Sequence, residues 1–408
     1  FGTVQAAGTR EANTFRYSAG EPHRFEFKKV GFKTVVMNSS EIRSPILQLK
    51  LERDPAVNVN LRPSLAPDVL LSGEPAFVDG VFYLGTTEGS LLKVTQIEDR
   101  PVIVEFKGTT GASINKEVYG PLQLHKRAGK SDLIVYCTRA GDCFAVDTAT
   151  MKQVWTAKSI GKDLTAPPSI LRLPLLANTV ILAVPVEKRL LLYDCDSGLP
   201  VNSGGIEFKE PITTSATALD KESMVLVGCK DGKLRGISLK TNTSREWLPF
   251  AEALALRSKP VLYEGDIVIA GDDGALYMFK PAKNNFEYRV VLENAGPITS
   301  EPLIIKKRIY AGTIEKEGFW CADLGSRQRV WKMQDTDIGD VRFMPAAQGS
   351  QVYFGTDKGR LYSVDAEQGI IRWMYPFEGG RPIIGSPLVV GKRIYAVSKD
   401  ARVIGFDE

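Results

Sequence analysis

Five cysteines and two histidines are the residues of widest chemical reach in this chain of 408 residues, and their placement speaks against catalysis. Two histidines, His23 and His125, are too few for a multi-histidine metal site, and neither is a candidate catalytic base. Cys137, Cys143, Cys195, Cys229 and Cys321 all fall in or beside apolar runs, where a free thiol packs as a small apolar side chain. The odd count leaves at least one of them unpaired unless it bonds another molecule. Cys137 and Cys143 flank a turn at Ala140-Gly141. A two-residue turn there would pair position 137 with 144 and set the two thiols on opposite faces, so a bridge between them requires a bulged turn. Cysteine usage therefore leaves the compartment open.

Other chemistry is equally sparse. No Gly-x4-Gly-Lys-Ser/Thr phosphate loop and no Gly-x-Ser-x-Gly elbow occurs. Asp335-Thr336-Asp337-Ile338-Gly339-Asp340 has the flavour of a calcium loop, but its spacing departs from an EF-hand and no Glu closes it, so it reads as a turn. With 52 basic against 48 acidic residues the net charge is +4, which does not suggest nucleic acid. The denser basic spots, Lys306-Lys307-Arg308, Gly391-Lys392-Arg393 and His125-Lys126-Arg127, read as solvated turns. The sequence thus predicts no catalytic residues, no cofactor, no metal site and no small-molecule substrate.

The elements that position these residues are repeats. Gly85, Cys137, Val184, Gly228, Gly271, Gly312, Gly355 and Val397 hold one recurring position, at successive spacings of 52, 47, 44, 43, 41, 43 and 42. We number the repeats 1 to 8 by these anchors. Before each anchor stands a run rich in β-branched and aromatic residues, such as Val81-Phe82-Tyr83-Leu84 or Val352-Tyr353-Phe354, which reads as a buried strand. After it comes a turn such as Asp231-Gly232, Asp273-Gly274 or Lys358-Gly359, then an alternating strand such as Leu361-Tyr362-Ser363-Val364-Asp365. A further strand carries Trp155, Trp247, Trp331 or Trp373, 18 or 19 residues past the anchor. Upstream, Pro260, Pro302 and Pro387 open another strand, so each repeat holds four strands.

These features predict an all-β fold: an eight-bladed β-propeller of four-stranded antiparallel blades. Repeat 8 ends without a Trp strand, so the alternating segment 46 to 52 is expected to close the ring from the N-terminal side. Residues 1–44 form an extension without the repeat, in which Phe25-Glu26-Phe27-Lys28 and Lys33-Thr34-Val35-Val36 read as strands; residues 45–408 form the propeller, with repeats from about 66. Phe1 is not an initiator Met, which leaves room for a signal or lipid anchor upstream. Extra length in the early repeats falls near Lys107–Ser113 and in Leu171-Arg172-Leu173-Pro174-Leu175-Leu176. An exposed cluster of Leu171, Leu173, Leu175 and Leu176 would suit contact with a protein.

The order of anchor Gly, turn Gly, Leu-Tyr-x-Val/Leu-Asp and Trp, as in Gly355 to Trp373, resembles the repeat of quinoprotein-like (PQQ-repeat) eight-bladed propellers, across about residues 46 to 408. It lacks the Gly-His and terminal Trp-Asp signatures of WD repeats. Dehydrogenases of that superfamily carry an adjacent Cys-Cys pair over the cofactor, and no Cys-Cys dipeptide exists here. The resemblance therefore runs to the non-catalytic, BamB-like branch, which implies a protein-binding scaffold of the bacterial envelope, periplasmic and lipid-anchored to the outer membrane. Leu254-Ala255-Leu256-Arg257 resembles the Leu-x-Leu-Arg loop by which that branch grips its partner, implying contacts from Leu254, Leu256 and Arg257. Its paired acidic residues in the next loop have no counterpart, since Asn294-Ala295-Gly296-Pro297 stands there. A subunit of another envelope complex, a divergent PQQ-dependent dehydrogenase and an extracytoplasmic sensor domain of a longer receptor are the alternatives.

Overall fold

A computed structural model describes residues 24–27, 31–38, 40, 53–98, 100–108, 116–158, 162–173, 179–202, 204–219, 223–241, 243–247, 255–281, 286–291, 296–315, 318–333 and 337–408. Among them there is no α-helix, only strands and two 3-10 turns at Arg62–Ser64 and Glu378–Gly380. The strands of the repeats assemble into six four-stranded sheets and one of eight strands, and a separate two-stranded sheet pairs Arg24–Phe27 with Val35–Asn38. In the eight-stranded sheet, two antiparallel halves spanning 71–106 and 118–158 are joined by the single parallel bridge Glu74↔Pro121.

The sheet of repeat 2 grades from covered inner strands to a solvated outer one. In repeat 2 the second strand, Leu133–Thr138, is buried at every position, as expected where both faces of a sheet are covered. The outermost strand of the same repeat, Gln153–Lys158, buries only Trp155 and Ala157. The apolar core is accordingly divided among seams between neighbouring sheets. Cys137 and Trp155 of repeat 2 cluster with Leu182 and Val184 of repeat 3, and Phe319 and Trp331 of repeat 6 with Phe354 and Tyr362 of repeat 7. Phe82 and Leu84 of repeat 1 share one cluster with Tyr395 and Val403 of repeat 8.

The last sheet is completed from the other end of the chain. Val57–Asn60 pairs antiparallel with Arg402–Asp407, while the segment 46 to 52, assigned that role above, lies outside the described residues. Arg53 fastens the junction: its Nη2 donates to Glu408 Oε1 at 2.7 Å and to the Asp407 carbonyl at 2.8 Å, and its guanidinium lies 5.0 Å from the Phe32 ring and 5.2 Å from that of Trp373.

The tryptophans lock neighbours together. Trp155, Trp247 and Trp331 donate their indole N–H to carbonyls of the following repeat, at Cys195, Lys280 and Ala366, and Trp373 donates to the Glu408 carboxylate. The Trp331 ring lies so close to Gly369 that a Cβ there would sit 2.5 Å from ring carbon Cδ2, and Gly369 has φ +69°, so both space and backbone demand glycine.

The hairpin turns are longer than a two-residue turn. At Thr138 the hydroxyl takes the Asp142 N–H at 3.2 Å and the carbonyl takes the Gly141 N–H at 2.9 Å. This moves the register by one from the two-residue expectation. Cys137 therefore faces Cys143 directly, and the two are bonded, whereas Cys195, Cys229 and Cys321 are free and buried.

Two measurements follow. Trp331→Ala should lower stability by about 3–5 kcal/mol through lost packing, and Gly369→Val should also lower the melting temperature; unchanged thermal unfolding of both would contradict the interlock. Denatured without reductant, the protein should titrate three thiols, Cys195, Cys229 and Cys321, and five after reduction.

Candidate functional site

The inner strands of all repeats begin alike, and that beginning builds the site. Pro75, Leu122, Ala216, Pro302, Pro345 and Pro387 fall opposite the residue just before the anchor, and Pro168 and Pro260 precede the first strands of their repeats within one register step of it, a position where a missing N–H costs little. The residue just before it is Glu74, Pro121, Pro167, Ser215, Lys259, Glu301, Met344 or Ser386. All eight of these line a single cavity of about 790 Å³. In repeats 1, 2 and 8 a bulge precedes this position, and Gly73, Gly120 and Gly385 accommodate it with φ between +74° and +79°.

Neighbouring repeats are hydrogen-bonded just behind this wall. Gln123 Nε2 donates to the Pro168 carbonyl at 3.2 Å, Ser169 Oγ to that of Ala216 at 2.8 Å and Thr217 Oγ1 to that of Pro260 at 2.6 Å. Side chains continue the pattern, with Lys259 Nζ 3.1 Å from Glu301 Oε2 and Ser386 Oγ donating to Glu74 Oε2 at 3.3 Å.

Charge is distributed unevenly around the wall. Five basic residues, Arg139, Arg257, Lys259, Arg342 and Lys399, face three acidic ones, Glu74, Glu117 and Glu301. Arg139 pairs with Glu117 at 2.9 Å and lies 3.8 Å over the Tyr119 ring, Arg257 pairs with Asp272 at 2.9 Å, and Arg342 pairs with Asp340. Glu74 is half-buried on the cavity wall. Burial pushes that carboxyl above its ordinary 4.5, opposed by the hydrogen bonds from Ser386 and reinforced by the nearby Glu301.

The residues singled out from sequence fare differently. Leu254 and Leu175 lie outside the described residues. Leu171 and Leu173 were expected in an exposed loop, but they sit on the strand Ser169–Leu173 at 3% and 1% exposure. The physical reason is the alternation of that segment, whose odd positions enter the apolar cluster with Ile181 and Val225. Leu256 is likewise wholly buried, bridged to Gly271 and packed against Ile269, so it cannot be a surface contact. Arg257 is half-exposed at the cavity wall. His125 ends the strand Val118–His125 instead of lying in a loop, with its Nε2 3.2 Å from Asp196 Oδ1. Asp337 of the acidic turn is engaged by Lys358 and Arg360. Among the described residues no group of three or more His, Cys, Asp or Glu could hold a metal ion. Sequence reasoning missed the wall of the cavity, although one signal was present: the residue immediately before the Pro of each inner strand.

The profile of the family described as "Outer membrane protein assembly factor BamB" matches residues 102–333 and 326–408. No curated protein sequence matches the chain. The solved structure of BamB from Moraxella catarrhalis is 15% identical with a TM-score of 0.63, covering 87% of this chain and 99% of that one. The C-terminal WD40 domain of Sif2 is 11% identical with a TM-score of 0.67, covering 87% and 98%. The computationally designed Ika8 protein is 13% identical with a TM-score of 0.64, covering 83% and 96%. At these identities the structures share a propeller fold and nothing finer.

The raised Glu74 carboxyl has a thermodynamic signature. The folded state holds this proton more tightly than the unfolded one, so its contribution is full below pH 4.5 and is lost as pH rises through the folded value. Glu74→Gln should remove that fall, leaving a melting temperature that declines less above pH 4.5 than the parent's; superimposable curves would sink the assignment.

Proposed function

Because this chain belongs to the PQQ-repeat β-propeller family described as outer membrane protein assembly factor BamB, we propose that it is a non-enzymatic protein-binding scaffold of the bacterial cell envelope. The observation that carries this reading is the family match over residues 102–333 and 326–408. Its architecture, in this reading, is a closed ring of eight blades, with Val57–Asn60 as the strand that completes the last blade. Such a ring holds its loops rigidly at both ends and offers binding surface without needing a catalytic pocket.

The bonded Cys137–Cys143 pair supports an oxidising compartment, which in this reading is the periplasm. No helix among the described residues is long and apolar enough to cross a membrane. The partner is a component of the machinery that assembles outer-membrane proteins. Of the three residues of the Leu-x-Leu-Arg resemblance, Arg257 is the one with an accessible charged group, and it is the contact we assign.

The test uses the intact chain as bait on cross-linked native membranes. Wild type should capture an outer-membrane assembly component, and Arg257→Glu should weaken capture by roughly tenfold, the effect of losing about one charge-assisted contact. Leu256→Glu is uninformative, because a buried charge would unfold the sheet. Capture undiminished in Arg257→Glu would remove that residue from the interface, and recovery of no envelope protein would remove the scaffold reading. Dye reduction after addition of pyrroloquinoline quinone and calcium would instead establish a dehydrogenase.

A further inference from the structure

The seam between repeats 1 and 8 differs from the rest of the cavity wall. Arg139, Arg257, Lys259 and Arg342 each have a carboxylate partner, but Lys399 has no ion pair among the described residues. Its backbone is stitched to repeat 1, since the Leu71 N–H donates to the Lys399 carbonyl at 2.9 Å. The next residue, Ser72, is 8% exposed and its hydroxyl has no hydrogen-bond partner. Glu74 stands two residues on, joined to Ser386 across the seam.

Lys399 is only partly buried, so its ammonium is within reach of a ligand in the cavity, whereas the Ser72 hydroxyl lies closed off behind the wall. Of the five basic residues on the wall Lys399 is the one without a carboxylate beside it among the described residues, and the ligand that complements it is an acceptor with negative charge. We propose that the cavity binds a carboxylate at the seam of repeats 1 and 8, with Lys399 as its counter-ion. The carboxylate comes from an acidic side chain of the partner or from a free small acid; the geometry recognises the group common to both. This inference deepens the scaffold reading and rests on it for the first source only. Glu74 sets a boundary on the site: its neighbours are Ser386, Glu301 and Lys259, and burial pushes its carboxyl above its ordinary value.

Calorimetry on the intact chain at constant ionic strength tests the proposal with three probes: a doubly capped Glu-rich hexapeptide, citrate, and a doubly capped Lys-rich hexapeptide. The acidic peptide, citrate or both should bind. Lys399→Gln should weaken that binding roughly tenfold or more, as expected for one lost charged hydrogen bond, while Lys392→Gln in an exposed turn should not. Binding of the peptide alone assigns the carboxylate to a protein partner, binding of citrate alone assigns it to a free acid, and binding of both supports the shared chemistry. The proposal is overturned if neither anion binds at millimolar concentration, if Lys399→Gln binds as tightly as wild type, or if the Lys-rich peptide binds equally well. Should Lys399→Gln lose its fold, Lys399→Met, which keeps the side chain's length without its charge, decides in its place by the same criterion. Loss of anion binding with membrane capture intact would reject this site and leave the scaffold standing; the reverse result would do the opposite.

Discussion

A four-stranded sheet whose middle strands are apolar on both faces cannot be stable alone, and this constraint organises the molecule. Leu133–Thr138 has no polar face to offer water, so its sheet must be covered on both sides. The coverage comes from the neighbouring repeats, through seams such as that of Trp155 with Val184 or of Phe82 with Tyr395. Removing any sheet would expose two seams at once. Stability is therefore a property of the set of repeats, with each interlocking tryptophan adding a directional bond from one repeat to the next.

The same constraint explains why the cavity wall can vary. The inner-strand position is held by backbone register, by the Pro that follows it and by hydrogen bonds to neighbouring carbonyls at Pro168, Ala216 and Pro260. The side chain placed there contributes little to the seams, and it ranges from Glu74 and Lys259 to Met344 and Pro121. Where packing does not choose the residue, chemistry can. Pairing of Lys259 with Glu301 and of Arg139 with Glu117 neutralises part of the wall, and what remains uncompensated is concentrated where repeats 1 and 8 meet.

Much of the fold was legible because the signals were periodic and local. The anchors fell at the ends of second strands, as with Gly85 in Val81–Thr86 and Gly355 in Gln351–Gly355, and the tryptophans fell on outer strands. The two N-terminal strands were readable from their alternation and do pair. Reading failed where a residue's environment comes from another repeat. Leu171, Leu173 and Leu256 look like exposed contacts in a linear reading, yet each is covered by a sheet distant in sequence. The Cys137–Cys143 bridge turned on one side-chain hydrogen bond, from the Asp142 N–H to the Thr138 hydroxyl, which lengthens the turn by enough to bring the thiols opposite.

By itself, the sequence determined the repeat, the all-β class, the four strands of each unit and the recurring place of the tryptophans, since these depend on spacing of 2 and of about 42 residues that the chain carries along its own length. Only the tertiary structure decided which residues share the cavity. Glu74, Lys259, Glu301 and Ser386 are separated by up to 312 positions, and no periodicity announces that they face one space. Likewise the want of an ion pair at Lys399 among the described residues depends on which carboxylates the other repeats bring within reach, a through-space electrostatic fact fixed only by the packing of the sheets.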